Sequence, residues 1–304
     1  MHIRYGFHID ILCEAATPLI ALLDIHPSRR QDLTQADELI ASALADPALP
    51  IEQTIHEDQF GNLCRRMTAP AGGLSLKAGG VIFDPGFSDT VQPLAGEVPP
   101  EQLPEDTLIY LRGSRYCETD QLSQEAWHRF GHVAPGWSRV QAITDFVHDR
   151  LGFGYHFARD TRTATQAFEE RVGVCRDFAH LAITLCRCMN IPARYATGYL
   201  PDIGVPQDPA PMDFCAWFEA FLDGQWYTFD ARHNMPRIGR IVMAYGQDAA
   251  DVPLVNSFGA HVLDRFEVTA EEVLGQRFPV SAEDRRAHAA AQTAWRRNRS
   301  EGLP

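Results

Sequence analysis

The stretch Gly173-Val-Cys-Arg-Asp-Phe-Ala-His-Leu-Ala-Ile-Thr-Leu-Cys-Arg-Cys-Met189 decides the fold of the second half of this chain. Its apolar residues recur at helical spacing, and Asn190 with Pro192 ends the pattern, so we predict a helix with a buried face. That face consists of Phe178, Leu181, Ala182, Leu185 and Met189.

Cys175 lies in the first turn of this predicted helix, just after Gly173. At that position the positive end of the helix dipole and the free backbone N–H groups favour a thiolate over a thiol. The alternative is that Cys175 is another small buried residue like Cys186, since free cysteines are among the most buried residue types. The position at the helix edge favours a nucleophile.

A predicted hairpin follows the helix and carries a second set of polar residues. Strands over residues 215–222 and 225–231 flank Asp223-Gly224, a dipeptide that favours a two-residue type I′ turn. With that turn, Cys215 and Asp230 share one face of the hairpin as diagonal neighbours, roughly 7–8 Å apart at the backbone. A carboxylate at this place orients the base of a thiol enzyme.

The first 130 residues predict a β-rich N-terminal domain. Ile3, Tyr5, Phe7 and Ile9 alternate with polar or small residues, as in a half-buried strand. Further strands are expected at residues 19–24, 51–57, 74–78 and 107–111, and this spacing favours an antiparallel sandwich.

The second predicted domain, residues 131–304, completes an α+β fold. A helix capped by Ser138 and a short helix capped by Thr163 precede the Cys175 helix, and a long C-terminal helix is expected to start near Ser281. Pro99-Pro100 marks a linker-like approach to this domain.

Composition excludes several classes of partner. The chain has 304 residues, 27 Lys and Arg against 40 Asp and Glu, and a net charge of −13, which argues against nucleic acid or an anionic membrane. The seven dispersed cysteines do not form a secreted disulfide framework. No long apolar run or signal peptide is evident, so we expect a cytoplasmic protein, and no residue pattern calls for a cofactor.

Four segments together resemble the bacterial transglutaminase-like family over about residues 138–245. They are Gly173–Ala182, Asn190-Ile-Pro-Ala-Arg-Tyr-Ala-Thr-Gly-Tyr199, Asp213-Phe-Cys-Ala-Trp-Phe-Glu219 and Trp226-Tyr-Thr-Phe-Asp230. The resemblance implies a papain-like fold in which a helix bearing the nucleophilic cysteine packs on an antiparallel sheet bearing a histidine and then an aspartate. It also implies a β-rich N-terminal domain. By match, Cys175 corresponds to the nucleophile and Asp230 to the carboxylate that orients the base.

The middle member of that triad departs from the family pattern, because Cys215-Ala216-Trp217 stands where the family has His-Ala-Trp. A thiol is a poor general base, since its ordinary pKa is about 8.5 and a nearby carboxylate favours the neutral form. His233 is the best substitute if the chain bends after residue 231. His156 is a candidate cleft residue, and Trp217 is hairpin core or a cleft wall.

Three functions follow as expectations. The leading one is a cysteine hydrolase or acyltransferase that acts on a peptide or protein through a thioester at Cys175. The second is a pseudoenzyme, a binding or scaffold module that lost its base at position 215. The weakest is a metal site formed by Cys175, Cys215 and Asp230, which lacks a close ligand pair. A lasting Cys175–Cys215 disulfide is disfavoured in a reducing cytosol.

Overall fold

The computed structural model describes residues 1–35 and 38–273. Its strands in chain order are β1 (His2–Cys13), β2 (Thr17–Ala21), β3 (Ile40–Ala43), β4 (Thr54–Glu57), β5 (Leu63–Ala69), β6 (Leu74–Phe83), β7 (Gly152–Phe153), β8 (Val172–Gly173), β9 (Ala193–Tyr199), β10 (Cys215–Leu222), β11 (Gln225–Phe229), β12 (Ile241–Gly246), β13 (Val255–Ser257) and β14 (His261–Glu272). The α-helices are α1 (Thr119–Phe130), α2 (Trp137–Arg150), α3 (Ala164–Glu170) and α4 (Cys175–Cys188).

Two antiparallel sheets form the N-terminal sandwich, in the strand orders β14-β1-β6-β3 and β13-β2-β5-β4. Every odd-numbered residue from Ile3 to Cys13 in β1 is buried, as the period-two alternation predicts. These side chains share one apolar core with Leu19 of β2, Met67 of β5 and Leu74 of β6. The expected antiparallel sandwich is therefore confirmed.

The last described strands belong to this sandwich rather than to the layer that precedes them in the chain. β14 runs antiparallel to β1 from the pair Ile3–Glu272 to the pair Cys13–His261. β13 pairs with β2, with Leu19 opposite Ser257. The sequence prediction assigned all residues after 130 to one second domain, whereas residues 255–272 complete the first two sheets.

The second layer is a helix packed on a sheet. Helix α4 lies against the antiparallel sheet β11-β10-β9-β12, with α1, α2 and α3 around it. The α4 side chains from Asp177 to Cys188 are all buried, and the apolar ones join a core with Phe218 of β10 and Leu122 of α1. Burial of each large apolar side chain stabilises the fold by about 1.5–3 kcal/mol, so this packing holds the start of α4 firmly against the sheet.

Two local predictions are corrected by the structure. The strand expected at residues 107–111 is a 3-10 helix, Glu105–Leu111, which begins after Pro104. The Thr107 hydroxyl donates a 2.7 Å hydrogen bond to the Pro104 carbonyl and closes its first turn. Helix α2 begins at Trp137 with Gly136 as its N-cap, so Ser138, the predicted cap, lies inside the first turn; Gly136 with φ of 90° lets the chain turn there.

Two further predictions concern the cap of α3 and a C-terminal helix. Thr163 caps α3 through a capping box in which Gln166 bonds back to its backbone. The helix expected near Ser281 lies outside the described residues. Among the residues that the structure describes, every helix is too short or too polar to cross a membrane.

Candidate active site

The start of α4 is held by Asp177, which lies one turn into the helix. Its carboxylate accepts a 2.9 Å hydrogen bond from the backbone N–H of Val174 and a 3.0 Å bond from Arg162. A Cβ at position 173 would lie 2.6 Å from the Asp177 side chain, so only glycine allows this approach. The Gly-Val-Cys sequence therefore places Cys175 at the exposed edge of an otherwise buried helix.

Cys175 is half-buried and faces the first residue of β10. Hydrogen bonding with the neighbouring Cys215 side chain lowers the pKa of Cys175 against the opposing effect of burial, and the Ala216 backbone and Arg232 lower it further. The same contact, together with burial and the Asp230 carboxylate, raises the pKa of Cys215 well above its usual value. Cys175 is therefore the more acidic thiol of the pair and Cys215 the less acidic one.

The hairpin that carries Cys215 has the predicted turn. Leu222 lies opposite Gln225, and the two turn residues Asp223 and Gly224 have φ of 49° and 82°. Positive φ at both central residues is the type I′ geometry that keeps the twist of the strands. The register puts Cys215 at the far end of the hairpin, beside the start of α4.

Asp230 comes directly after β11 and is buried beneath a tight turn. Its Oδ1 accepts the backbone N–H groups of Arg232 at 3.1 Å and His233 at 3.0 Å. Its Oδ2 accepts His233 Nδ1 at 2.9 Å and Arg240 Nη2 at 2.9 Å. Burial alone would raise the pKa of Asp230, but Arg240 and His233 overcome this and hold it far below its ordinary value.

His233 reaches the site because the chain turns instead of continuing as a strand. The Asn234 N–H donates a 2.7 Å hydrogen bond to the Asp230 carbonyl, and Asn234 adopts φ of 48°. The Cys215 sulfur, an Asp230 carboxylate oxygen and a ring nitrogen of His233 consequently lie within 4.8 Å of one another. With Nδ1 held by the carboxylate, Nε2 of the imidazole is left for other partners.

Comparisons with known proteins identify the domain that carries these residues. Residues 128–231 match the sequence model of the transglutaminase-like superfamily. The chain contains a transglutaminase-like domain. The crystal structure of a candidate cysteine protease from Cytophaga hutchinsonii is 29% identical, with a TM-score of 0.77, and the match covers 91% of this chain and 92% of that one. The similarity therefore includes the N-terminal sandwich as well as the transglutaminase-like domain.

Two further similarities are partial. The uncharacterized protein ML0607 of Mycobacterium leprae is 32% identical over 104 residues, which are 33% of this chain and 37% of that protein. The chain thus matches little more than a third of that relative's length. The periplasmic domain of TgpA from Pseudomonas aeruginosa, bound to ethylmercury, is 13% identical with a TM-score of 0.35, over 73% of this chain and 91% of that one.

Three other candidates from the sequence lie outside the cluster around Asp230. His156 is exposed in the short 3-10 helix Tyr155–Phe157, where its ring packs on Phe157. Trp217 is buried, and the Arg240 guanidinium lies 4.9 Å from its ring centre, so it supports the cation that holds Asp230. His180 of α4 is fully buried in the core, and burial lowers its pKa to about 3.

A cleft of about 550 Å³ opens onto the transglutaminase-like site. Tyr155, Cys215, Arg232 and His233 line it on one side, and the end of β14, residues 268–272, lines it on the other. The wall from β14 could not be foreseen, because that strand belongs to the sandwich and no pattern in the sequence connects it with the site.

Asp89 is a second partner that the sequence does not reveal. Its carboxylate accepts Arg240 Nε at 2.9 Å and so fixes the cation that in turn contacts Asp230. Asp89 lies in the irregular segment between the sandwich and α1, about 140 residues before Asp230 in the chain. Only the folded chain brings the two carboxylates to one arginine.

The fit of the site to a metal ion is incomplete. The potential donors that lie together are Cys215, Asp230 and His233, rather than the set with Cys175 that the sequence suggested. Both Asp230 oxygens already accept two N–H groups each. The carboxylate is therefore better suited to orient His233 than to bind a cation.

Proposed function

We propose that this protein is a cysteine hydrolase or acyltransferase that acts on a carboxamide or peptide bond through a thioester at Cys175. One observation supports this above the others. A half-buried cysteine with a lowered pKa begins α4 next to Cys215, which lies within 4.8 Å of a histidine that a buried, ionised aspartate orients. A strictly structural cysteine would need neither the lowered pKa nor the oriented imidazole.

In the proposed reaction the Cys175 thiolate attacks the carbonyl carbon, and the C–N bond breaks after the leaving amine takes a proton. His233 gives that proton, and Asp230 stabilises the imidazolium form that can donate it. Backbone N–H groups at the start of α4 stabilise the oxyanion. Water then resolves the thioester, with His233 accepting its proton. We favour hydrolysis over transfer to an amine.

Cys215 acts as a positioning residue in this proposal. Its thiol stays protonated and hydrogen-bonds the Cys175 sulfur, which stabilises the thiolate before substrate arrives. In this proposal the base is His233, in the turn that follows β11, rather than a residue of the strand β10. The proposal further places the enzyme in the cytoplasm and gives it peptide or protein substrates, in keeping with the acidic chain and the dispersed cysteines.

The test compares Cys175→Ala with Cys188→Ala, a matched loss of a thiol at the far end of α4. Both variants are incubated with fluorescently labelled casein and with a glutamine-containing peptide, and the products are read by mass spectrometry. We expect cleavage or deamidation by the wild type and Cys188→Ala, and none by Cys175→Ala. Equal activity of Cys175→Ala and the wild type would contradict the proposal.

A second candidate function is a peptide-binding module without turnover. The observation that favours it is Cys215 itself, which occupies the position where the family pattern has histidine. If this candidate is right, wild-type protein binds casein peptides but converts none, and Cys215→His introduces turnover. If the hydrolase proposal is right, wild-type turnover is present and depends on His233.

A further inference from the structure

Cys175 interacts with two adjacent residues of β10, Cys215 and Ala216. The Cys215 thiol hydrogen-bonds the Cys175 sulfur, and the backbone of Ala216 also interacts with it. α4 and β10 hold these positions from opposite sides, since both belong to the same buried core. Two neighbouring thiols, carried by the first residues of a helix and a strand that pack on each other, are in position to react.

The remaining five cysteines are placed differently. Burial raises the pKa of Cys117 to about 11 and that of Cys188 to about 12, and Cys186 is fully buried inside α4. Cys175, by contrast, is half-buried, and Cys215 lines the open cleft. A small oxidant therefore reaches the half-buried Cys175 before it reaches the buried thiols.

We propose that Cys175 and Cys215 form a reversible disulfide, with Cys175 oxidised first by a hydroperoxide and Cys215 acting as the resolving thiol. In the first step the Cys175 sulfur attacks the peroxide: an S–O bond forms, the O–O bond breaks, and the leaving alkoxide or hydroxide takes a proton from water. The sulfur loses two electrons and becomes a sulfenic acid, while the peroxide is reduced to an alcohol or water.

In the second step the Cys215 sulfur attacks the sulfenic sulfur of Cys175. An S–S bond forms, the S–O bond breaks, and the hydroxide takes the thiol proton and leaves as water. A dithiol reductant reverses the reaction by thiol–disulfide exchange and is itself oxidised to a disulfide. A transient bond of this kind is compatible with a reducing cytosol, where a lasting structural disulfide is not.

This chemistry gives a physical role to the residue that departs from the family pattern. A histidine at position 215 could serve as a base, but it could not resolve a sulfenic acid. A cysteine there shields the nucleophile from irreversible oxidation, because the disulfide forms before a second peroxide arrives. The disulfide requires only the two thiols, so it does not depend on the protein being a hydrolase.

The experiment treats the reduced full-length protein with a small excess of hydrogen peroxide and follows intact mass, free thiols and cross-linked peptides. We expect the wild type to lose two hydrogen atoms and two of its seven free thiols, and to yield one cross-linked pair, 175 with 215. Dithiothreitol should restore both thiols. Cys188→Ala, the control, should form the same cross-link.

The Cys215→Ala variant separates this proposal from simple oxidation. Without a resolving thiol, Cys175 should gain one and then two oxygen atoms and should not be fully rescued by dithiothreitol. The proposal is overturned if wild-type Cys175 accumulates the doubly oxidised form, if it does not react, or if it pairs with another cysteine. Peptide mapping of the wild type decides this even if Cys215→Ala folds poorly.

Discussion

The two ends of α4 both carry polar side chains inside the transglutaminase-like domain, but these side chains differ in burial and in hydrogen bonding. In its last turn, all five N–H donors of Arg187 are used, on the Ala193, Arg112 and Gln247 carbonyls and the Ser114 hydroxyl. At the first turn, Cys175 is half-buried and its pKa is lowered. A buried group whose hydrogen-bond donors all have partners indicates a structural role. A half-buried group with a shifted pKa indicates a reactive one.

The largest expected effect tests the reactive end. In His233→Gln the amide keeps a donor toward Asp230 but cannot carry a proton through the reaction. We expect kcat on labelled casein to fall by about 10²–10⁴-fold, while the free energy of unfolding changes by no more than about 2 kcal/mol. His128→Gln, on the exposed side of α1, is the matched control and should keep full activity.

Activity of His233→Gln close to that of the wild type would show that another group moves the proton. Cys215 is then the candidate proton donor, since its side chain hydrogen-bonds with that of Cys175. In that case Cys215→Ala, rather than His233→Gln, would carry the large loss of kcat.

How much of this site the sequence could predict depends on the range of the interactions. Spacing within one helix and one hairpin sufficed to predict Cys175, Cys215 and the face of Asp230, because helix and strand periods are local. His233 fell on the wrong face of a regular strand. It joins the site because residues 231–233 form a turn, closed by the hydrogen bond from the Asn234 N–H to the Asp230 carbonyl, and strand periodicity does not predict such a turn.

Partners remote in the chain were beyond prediction for a different reason. Asp89 and the end of β14 reach the site through packing of the sandwich against the transglutaminase-like domain, and their sequence environments contain no motif. Arg187 is a similar case. From the sequence, an arginine near the end of a helix is expected only to interact with the helix dipole. The fold shows that Arg187 donates hydrogen bonds to three carbonyl groups and one hydroxyl group.

The next largest effect tests the structural end of α4. Arg187→Met keeps much of the side-chain volume but leaves buried carbonyl groups without donors. We expect a loss of roughly 3–5 kcal/mol in the free energy of unfolding, measured by urea denaturation. Arg66→Met, on the exposed side of β5, should change it by less than about 0.5 kcal/mol. A loss as small as that of the control would mean that Arg187 is not a structural centre.

Asp230 joins the two roles, because it is both fully hydrogen-bonded and part of the reactive cluster. Its folded-state pKa lies below the unfolded value of about 3.9, so its stabilising contribution is complete above that pH and is lost as the pH falls toward the folded pKa. We expect Asp230→Asn to cost about 2–4 kcal/mol at pH 7 and progressively less below about pH 4.

The control for that series is Asp223→Asn, an exposed change at a turn position whose positive φ asparagine tolerates. Urea denaturation of the wild type and both variants between pH 3 and pH 7 gives the comparison. A deficit of Asp230→Asn that stays constant over this range would mean that the carboxylate charge contributes nothing and that the loss comes from packing alone.

The smallest expected effect concerns the thiol pair itself. In Cys215→Ala the hydrogen bond that stabilises the Cys175 thiolate is gone, whereas the helix N-terminus and Arg232 remain. The midpoint of Cys175 alkylation by iodoacetamide, followed peptide by peptide against pH, should therefore rise in this variant, because burial raises the pKa and the largest effect that opposes burial is lost. Cys188→Ala should leave it unchanged. A midpoint that does not move would assign the lowered pKa to the helix start and Arg232, and the reactive end of α4 would then owe its thiolate to the fold alone rather than to the cysteine that replaces the family's histidine.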